Sequence, residues 1–219
     1  MTTADLATGA QIRMRGPAAG RVILTINGGT SRDVPGTWSA STEYLARALA
    51  QRFPDLGIGE TKYRIRSWRR FGMCLDDGKA ALDHVVAAGA TEVVLIGFSL
   101  GGAVTTQIAD HPLVRTVIGL APWLPKELPM DRMADRTFHV LHGSRDPLPG
   151  TPGVSPDSSR AGFARIMAAG ATGTYTLVPF GIHAIALRTP WGGLVPMPRA
   201  GVWTSEVARL LTDAVAAHP

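Results

Sequence analysis

The stretch that most restricts how this chain can fold is VVLIGFSLGG, residues 93–102. The run EVVLIGF (92–98) is almost wholly apolar, which suits a strand buried on both faces. It breaks at a serine held between Gly97 and Gly101, with Gly102 directly behind, and Ala103, Val104 and Ile108 then follow at helical spacing. A strand that turns this sharply into a helix needs small neighbours, because the serine at the corner takes a strained backbone conformation. Gly97-Phe98-Ser99-Leu100-Gly101 fits G-x-S-x-G. The turn lifts the Ser99 hydroxyl above the carboxyl end of the sheet and aims the Leu100 amide at whatever that hydroxyl attacks.

Strand-like runs and helix-like periods alternate on both sides of this turn. RVILTIN (21–27) is β-branched and ends at Gly28-Gly29. Leu45, Ala48, Leu49 and Phe53 recur at helical spacing until Pro54 stops them. TKYRIRSW (61–68) reads as a second strand, and Asp77 can cap a helix carrying Leu82, Val85 and Val86 that ends near Gly89. Beyond the serine turn come a helix to about Asp110 and the strands VRTVIGL (114–120) and TFHVLHG (137–143). Ser155-Pro156 then opens a helix through Phe163 and Ile166, TYTLVPF (174–180) is a strand, and a closing helix carries Val207, Leu210, Leu211 and Val215. The alternation predicts an α/β three-layer sandwich, with a mainly parallel sheet of about six strands and helices on both faces. Arg64 and Arg66 share one face of the 61–68 run. A central strand could not bury two guanidinium groups cheaply, so that strand is expected at an edge.

The chain has 219 residues, 45% hydrophobic and 18% charged, which fits one domain spanning 21–219. Residues 1–20 are expected to be a partly disordered tail, since MTTADLATGA lacks the pattern of a signal peptide, and nothing approaches a membrane span. A single cysteine, Cys74, can form neither an internal disulfide nor a multi-cysteine metal site, and a reducing, cytoplasmic setting is expected. The net charge is +5, with its densest cluster at Arg64, Arg66, Arg69 and Arg70 among Tyr63, Trp68 and Phe71. No nucleic-acid motif accompanies the cluster, so it reads as a solvated edge rather than a nucleic-acid surface.

A serine hydroxyl is a weak nucleophile at neutral pH and needs a base within hydrogen-bond reach. Of the six histidines, His84 falls in a helix, His139 inside a strand, His111 in a turn before Pro112, and His218 at the terminus. His142 ends the 137–143 strand near the top of the sheet and reads as structural. His183 lies just beyond the 174–180 strand on a glycine-bearing loop and is the candidate base. A carboxylate should hold its imidazole in the right tautomer. Asp146, in LHGSRDPLPG, follows its strand by a similarly short distance, with Glu127 and Asp131 in reserve.

These segments together resemble the α/β-hydrolase family from about residue 21 onward. GFSLGG resembles its nucleophile elbow, LHGSRD its acid loop and GIH its histidine loop, in the family's order Ser99, Asp146, His183. The resemblance implies an oxyanion hole made by the Leu100 amide and one from the loop after the 21–27 strand. There INGGT offers Gly29, with Thr30 as alternate; Asn27-Gly28 stands in place of the usual histidine-glycine pair. It also implies a sheet order that sets the 61–68 strand outermost, because the family's first two strands have little room before residue 21.

The expected chemistry is cleavage of a small-molecule carboxylic ester by the Ser99, His183, Asp146 triad through an acyl-enzyme, without metal or cofactor. The same machinery would serve a thioester or a lactone of the dienelactone type, and a catalytically silent binding domain is the alternative from another class. Only APWLPKELPMDRMADR separates the 114–120 and 137–143 strands, so no large lid is expected. Trp123 and Leu124 are candidates for a small apolar wall. Trp191 belongs to a candidate flap at 188–201. Oligomeric state is not encoded in any of these features.

Overall fold

The computed structural model describes residues 1–149 and 153–216. Its strands are β1 (Thr2–Asp5), β2 (Gln11–Arg15), β3 (Gly20–Ile26), β4 (Val34–Pro35), β5 (Gly57–Lys62), β6 (Ile65–Arg66), β7 (Ala90–Phe98), β8 (Val114–Leu120), β9 (Thr137–Gly143), β10 (Tyr175–Val178), β11 (Ala186–Arg188) and β12 (Leu194–Pro196). Its α-helices are α1 (Ala40–Arg52), α2 (Phe71–Ala87), α3 (Leu100–Gln107), α4 (Pro156–Ala168) and α5 (Ala200–Ala216). The main sheet has eight strands in the order β1-β2-β5-β3-β7-β8-β9-β10. The β1–β2 and β2–β5 pairings are antiparallel, and those from β5 through β10 are parallel.

Period-two alternation explains why the central strands read as unbroken apolar runs. Along β7, Val93 and Leu95 enter one core cluster while Val94, Ile96 and Phe98 enter the other. The first cluster takes Leu82 and Val85 of α2, Val104 of α3 and Ile166 of α4. The second takes Leu45 and Leu49 of α1 with Trp203, Val207 and Leu211 of α5. Helices therefore cover both faces, as the alternation predicts. No helix among the described residues is long and apolar enough to cross a membrane.

The structure corrects four expectations. Residues 1–20 are not a tail: β1 and β2 form a hairpin that adds two strands to the sheet. Ile12 and Met14 enter the core, while Arg13 between them lies opposite Glu60 of β5 and pairs with it through Nε–Oε1 at 2.9 Å and Nη2–Oε2 at 2.7 Å. The second strand lies at 57–62 rather than 61–68, and it sits inside the sheet between β2 and β3. Arg64 and Arg66 fall outside it. Arg64 instead donates to Asp77, and Arg66 belongs to the small β4–β6 ribbon. Asp77 caps no helix: α2 starts at Phe71, and Asp77 is fully buried within it, accepting from the Arg64 amide and from Arg64 Nε. The helix after the serine turn ends at Gln107, short of Asp110. Ser155, by contrast, caps α4 through the Ser158 amide, with Pro156 in the first turn.

Candidate active site

Ser99 occupies the corner between β7 and α3 with φ 52° and ψ −114°. This left-handed conformation is costly for a residue with a side chain, and its surroundings hold it in place. The Ser99 amide donates to Leu120 O of β8 at 3.0 Å, and its carbonyl accepts from the Gly102 and Trp123 amides, both at 2.9 Å. Gly101 meets the backbone of the neighbouring strand so closely that a Cβ there would stand 2.2 Å from Ile26 O. The sequence folds this way because the first turn of α3 packs against the end of β3, where only a residue without a side chain fits.

The loop after β3 lies against the start of α3. A Cβ on Gly29 would sit 2.5 Å from Leu100 Cδ2, so Gly29 and Leu100 are neighbours. Neither of their amides finds an acceptor among the described residues. The loop is fixed from several sides: Tyr63 Oη donates to Asn27 O at 2.9 Å, Asn27 Nδ2 to Thr37 O at 3.0 Å, and the Trp68 amide to Thr30 O at 2.9 Å. Asp33 accepts from Ser67 Oγ at 2.6 Å and from Arg70 Nε at 2.7 Å.

At the same carboxyl end of the sheet, after β9 and β10, two loops are stitched together. The Ser144 amide donates to Val178 O at 3.0 Å, the Arg145 amide to Gly181 O at 2.9 Å, and the Phe180 amide to Ser144 Oγ at 2.8 Å. This brings Asp146, after β9, to His183, after β10: Oδ2 stands 2.6 Å from Nδ1. The carboxylate can only accept, so Nδ1 carries the proton and Nε2 of the neutral ring is left as an acceptor. The loop beyond His183 is tied to α1, where Ser41 Oγ accepts from the Ile185 and Ala186 amides at 3.0 and 3.3 Å. The imidazole rests on Phe98, with ring centroids 5.1 Å apart, which sets it beside the residue preceding Ser99. No hydrogen bond joins Ser99 Oγ to His183 in this structure. Such contacts are often loose without substrate.

Asp146 has a second partner in His142, whose place at the end of β9 reads from sequence as structural. His142 Nε2 lies 3.1 Å from the same Oδ2 and 2.8 Å from Val154 O, two acceptors that require Nε2 to carry a proton. Behind it, His142 Nδ1 meets Ser159 Oγ at 2.7 Å, and Ser159 meets Tyr175 Oη at 2.7 Å. Burial pushes the Asp146 carboxyl up, but the hydrogen bonds from His142 and His183 more than offset this and hold it below the usual carboxylate range. The i, i+4 spacing of His142 and Asp146 in LHGSRD was the available signal. Of the reserve acids, Glu127 and Asp131 lie on the segment between β8 and β9 and take no part in this contact.

His183 and Phe98 line an open cavity of about 410 Å³ with Thr37, Trp38, Arg66 and Leu187. The residues proposed for an apolar wall lie elsewhere. Leu124 is buried in the core, where it packs over Gly162 of α4. Trp123 stays beside the serine turn, but its ring stacks on Trp68 at 6.4 Å and meets Phe71 edge-on at 6.1 Å. Trp191 is 91% exposed at the tip of the β11–β12 ribbon. The segment 188–201 thus carries part of that ribbon and the start of α5.

Residues 23–218 match the model of the alpha/beta hydrolase family. The chain belongs to that family. Several solved alpha/beta hydrolase structures resemble it at low identity. Dienelactone hydrolase-like promiscuous phosphotriesterase P91, from metagenomic libraries, is 17% identical with a TM-score of 0.69, covering 97% of this chain and 98% of its own. Est1E from Butyrivibrio proteoclasticus is 11% identical with a TM-score of 0.65, covering 94% and 95%. The esterase Est2 from Thermogutta terrifontis, with propionate bound, is 16% identical with a TM-score of 0.63, covering 95% and 89%. No curated protein matches the chain. At these identities the likeness is one of fold.

Proposed function

We propose that this alpha/beta hydrolase cleaves carboxylic esters of small molecules through a covalent serine intermediate. The observation that carries the reading is the 2.6 Å contact between Asp146 Oδ2 and His183 Nδ1, at the same end of the sheet as a serine held at φ 52°. In this reading Ser99 Oγ attacks the carbonyl carbon while its proton passes to His183 Nε2. The carbonyl oxygen, now an oxyanion, accepts from the free Leu100 and Gly29 amides, with Thr30 as the alternate to Gly29. Collapse breaks the bond to the leaving alcohol, which takes the proton back from Nε2. Water then adds to the acyl carbon with His183 again as base, and release of the acid restores Ser99. Asp146 stabilises the imidazolium that forms in each half-reaction. General-base work of this kind contributes roughly 10²–10⁴ in rate, and each oxyanion donor on the order of 10²–10³. No step calls on a metal or cofactor.

A panel of p-nitrophenyl esters, simple lactones and acyl thioesters tests the reading. It expects turnover of short p-nitrophenyl esters that is lost in Ser99→Ala. Preferential turnover of thioesters or lactones would move the assignment to those bonds with the same residues. Folded protein inert to the whole panel would favour a binding domain.

A further inference from the structure

Arg66 is an unusual member of the cluster in YRIRSWRRF. Arg64 pairs with Asp77 at 2.7 Å and Arg70 with Asp33 at 2.7 Å, while Arg69 is exposed to solvent. The other arginine on the His183 cavity, Arg188, pairs with Glu43 at 2.5 Å. The Arg66 guanidinium takes no hydrogen bond or ion pair among the described residues, and its Nε is buried without an acceptor. Two residues on, the Trp68 indole Nε1 is also buried without an acceptor. That ring lies against the loop after β3, with Cδ1 3.0 Å from where a Gly29 Cβ would be. Buried donors in folded proteins are nearly always paired, and an orphan needs an explanation.

Both orphans sit on one segment whose position is fixed. Arg66 stands opposite Val34 in the β4–β6 ribbon, and the Trp68 amide is bonded to Thr30 O. The segment flanks the proposed oxyanion loop, and Arg66 shares a cavity wall with His183 and Trp38. We infer that Arg66 is a specificity residue whose guanidinium receives a carboxylate carried by the substrate, so that the preferred substrate is an ester bearing a free carboxylate. The planar fork of an arginine matches a carboxylate in two parallel hydrogen bonds, and a half-buried site strengthens them. The cavity, at about 410 Å³, has the size of a small-molecule site. This inference rests on Ser99 and His183 being the reacting pair.

The test compares p-nitrophenyl hemiglutarate, which carries a carboxylate on its acyl chain, with neutral p-nitrophenyl butyrate. The wild type is expected to favour the hemiglutarate in kcat/KM. Arg66→Met should lower that preference by on the order of 10- to 100-fold, chiefly through KM, and Arg66→Lys should recover only part of it. A preference unchanged by Arg66→Met overturns the inference while leaving the esterase reading intact.

A binding arm needs no turnover. Glutarate should raise the Tm of Ser99→Ala and should do so less in Ser99→Ala/Arg66→Met; inorganic phosphate, a different oxyanion, should give the smaller shift. Absence of any glutarate shift in Ser99→Ala overturns the carboxylate site, and a larger response to phosphate overturns the choice of carboxylate. If neither ester is turned over yet glutarate binds through Arg66, the esterase reading fails and the anion site stands.

Discussion

Nδ1 of His183 lies 2.6 Å from Oδ2 of Asp146, although 37 residues separate them along the chain. The contact exists because β9 and β10 pair in parallel and their following loops are bonded to each other through Ser144, Arg145 and Gly181. Asp146→Asn keeps the size of the side chain but removes the charge and allows the wrong imidazole tautomer. We expect kcat to fall by on the order of 10³–10⁴ with little change in KM. Steady-state kinetics on a p-nitrophenyl ester, with circular dichroism to verify folding, check this. A loss below about tenfold would mean Asp146 does not serve His183.

The strained backbone at Ser99 predicts a trade between stability and activity. Ser99→Gly relieves a left-handed conformation costing about 1–3 kcal/mol, against a chain-entropy cost of about 0.5–1 kcal/mol for glycine. Ser99→Ala keeps the strain. Both variants should be inactive, and thermal unfolding should rank Ser99→Gly above Ser99→Ala by about 1 kcal/mol.

Gly101 should tolerate no side chain. A Cβ would stand 2.2 Å from Ile26 O and 2.7 Å from Asn27 O, both backbone atoms with little freedom to retreat. Gly101→Ala is expected to lower stability by about 3 kcal/mol or more, measured by chemical denaturation, with activity lost as the turn is displaced.

Glu43 ties α1 to β2 and to β11. It accepts from Arg13 at 2.8 Å and from Arg188 at 2.5 Å. Burial opposes its charge, yet the hydrogen bonds and charges of the two arginines more than offset this and hold it at about 2 against an ordinary 4.5. A carboxyl lowered on folding adds stability that is fully present above its unfolded value and is lost as pH falls toward its folded value. Between about pH 6 and about pH 3 the wild type should therefore lose about 2 kcal/mol that Glu43→Gln does not lose. Denaturant titrations at the two pH values measure the difference.

How much could be read in advance follows from burial. β8 and β9 are predicted to the residue because strands covered on both faces are rich in apolar and β-branched residues, and the serine turn is legible because G-x-S-x-G sits between such a strand and a helix. The N-terminal hairpin was not legible because β2 carries Arg13 into the interior, where Glu60 and Glu43 neutralise it; charge there marks a pair across strands, which no local pattern contains. Asp77 in α2 escapes local pattern for the same reason, since its partner Arg64 lies outside that helix. The cavity wall is not legible either: Leu124 and Trp123 look like pocket residues by composition, yet they pack on α4 and on Trp68, while Trp38 and Arg66 carry no motif.

Hydrolysis by this route requires Ser99 to be a nucleophile activated by His183. Intact-protein mass spectrometry after treatment with a fluorophosphonate tests this most directly. One adduct is expected on the folded wild type, mapped by peptide sequencing to Ser99, absent in Ser99→Ala and slowed by at least about 10²-fold in His183→Ala. A folded wild type that stays unmodified, or one modified equally fast after His183→Ala, would contradict it.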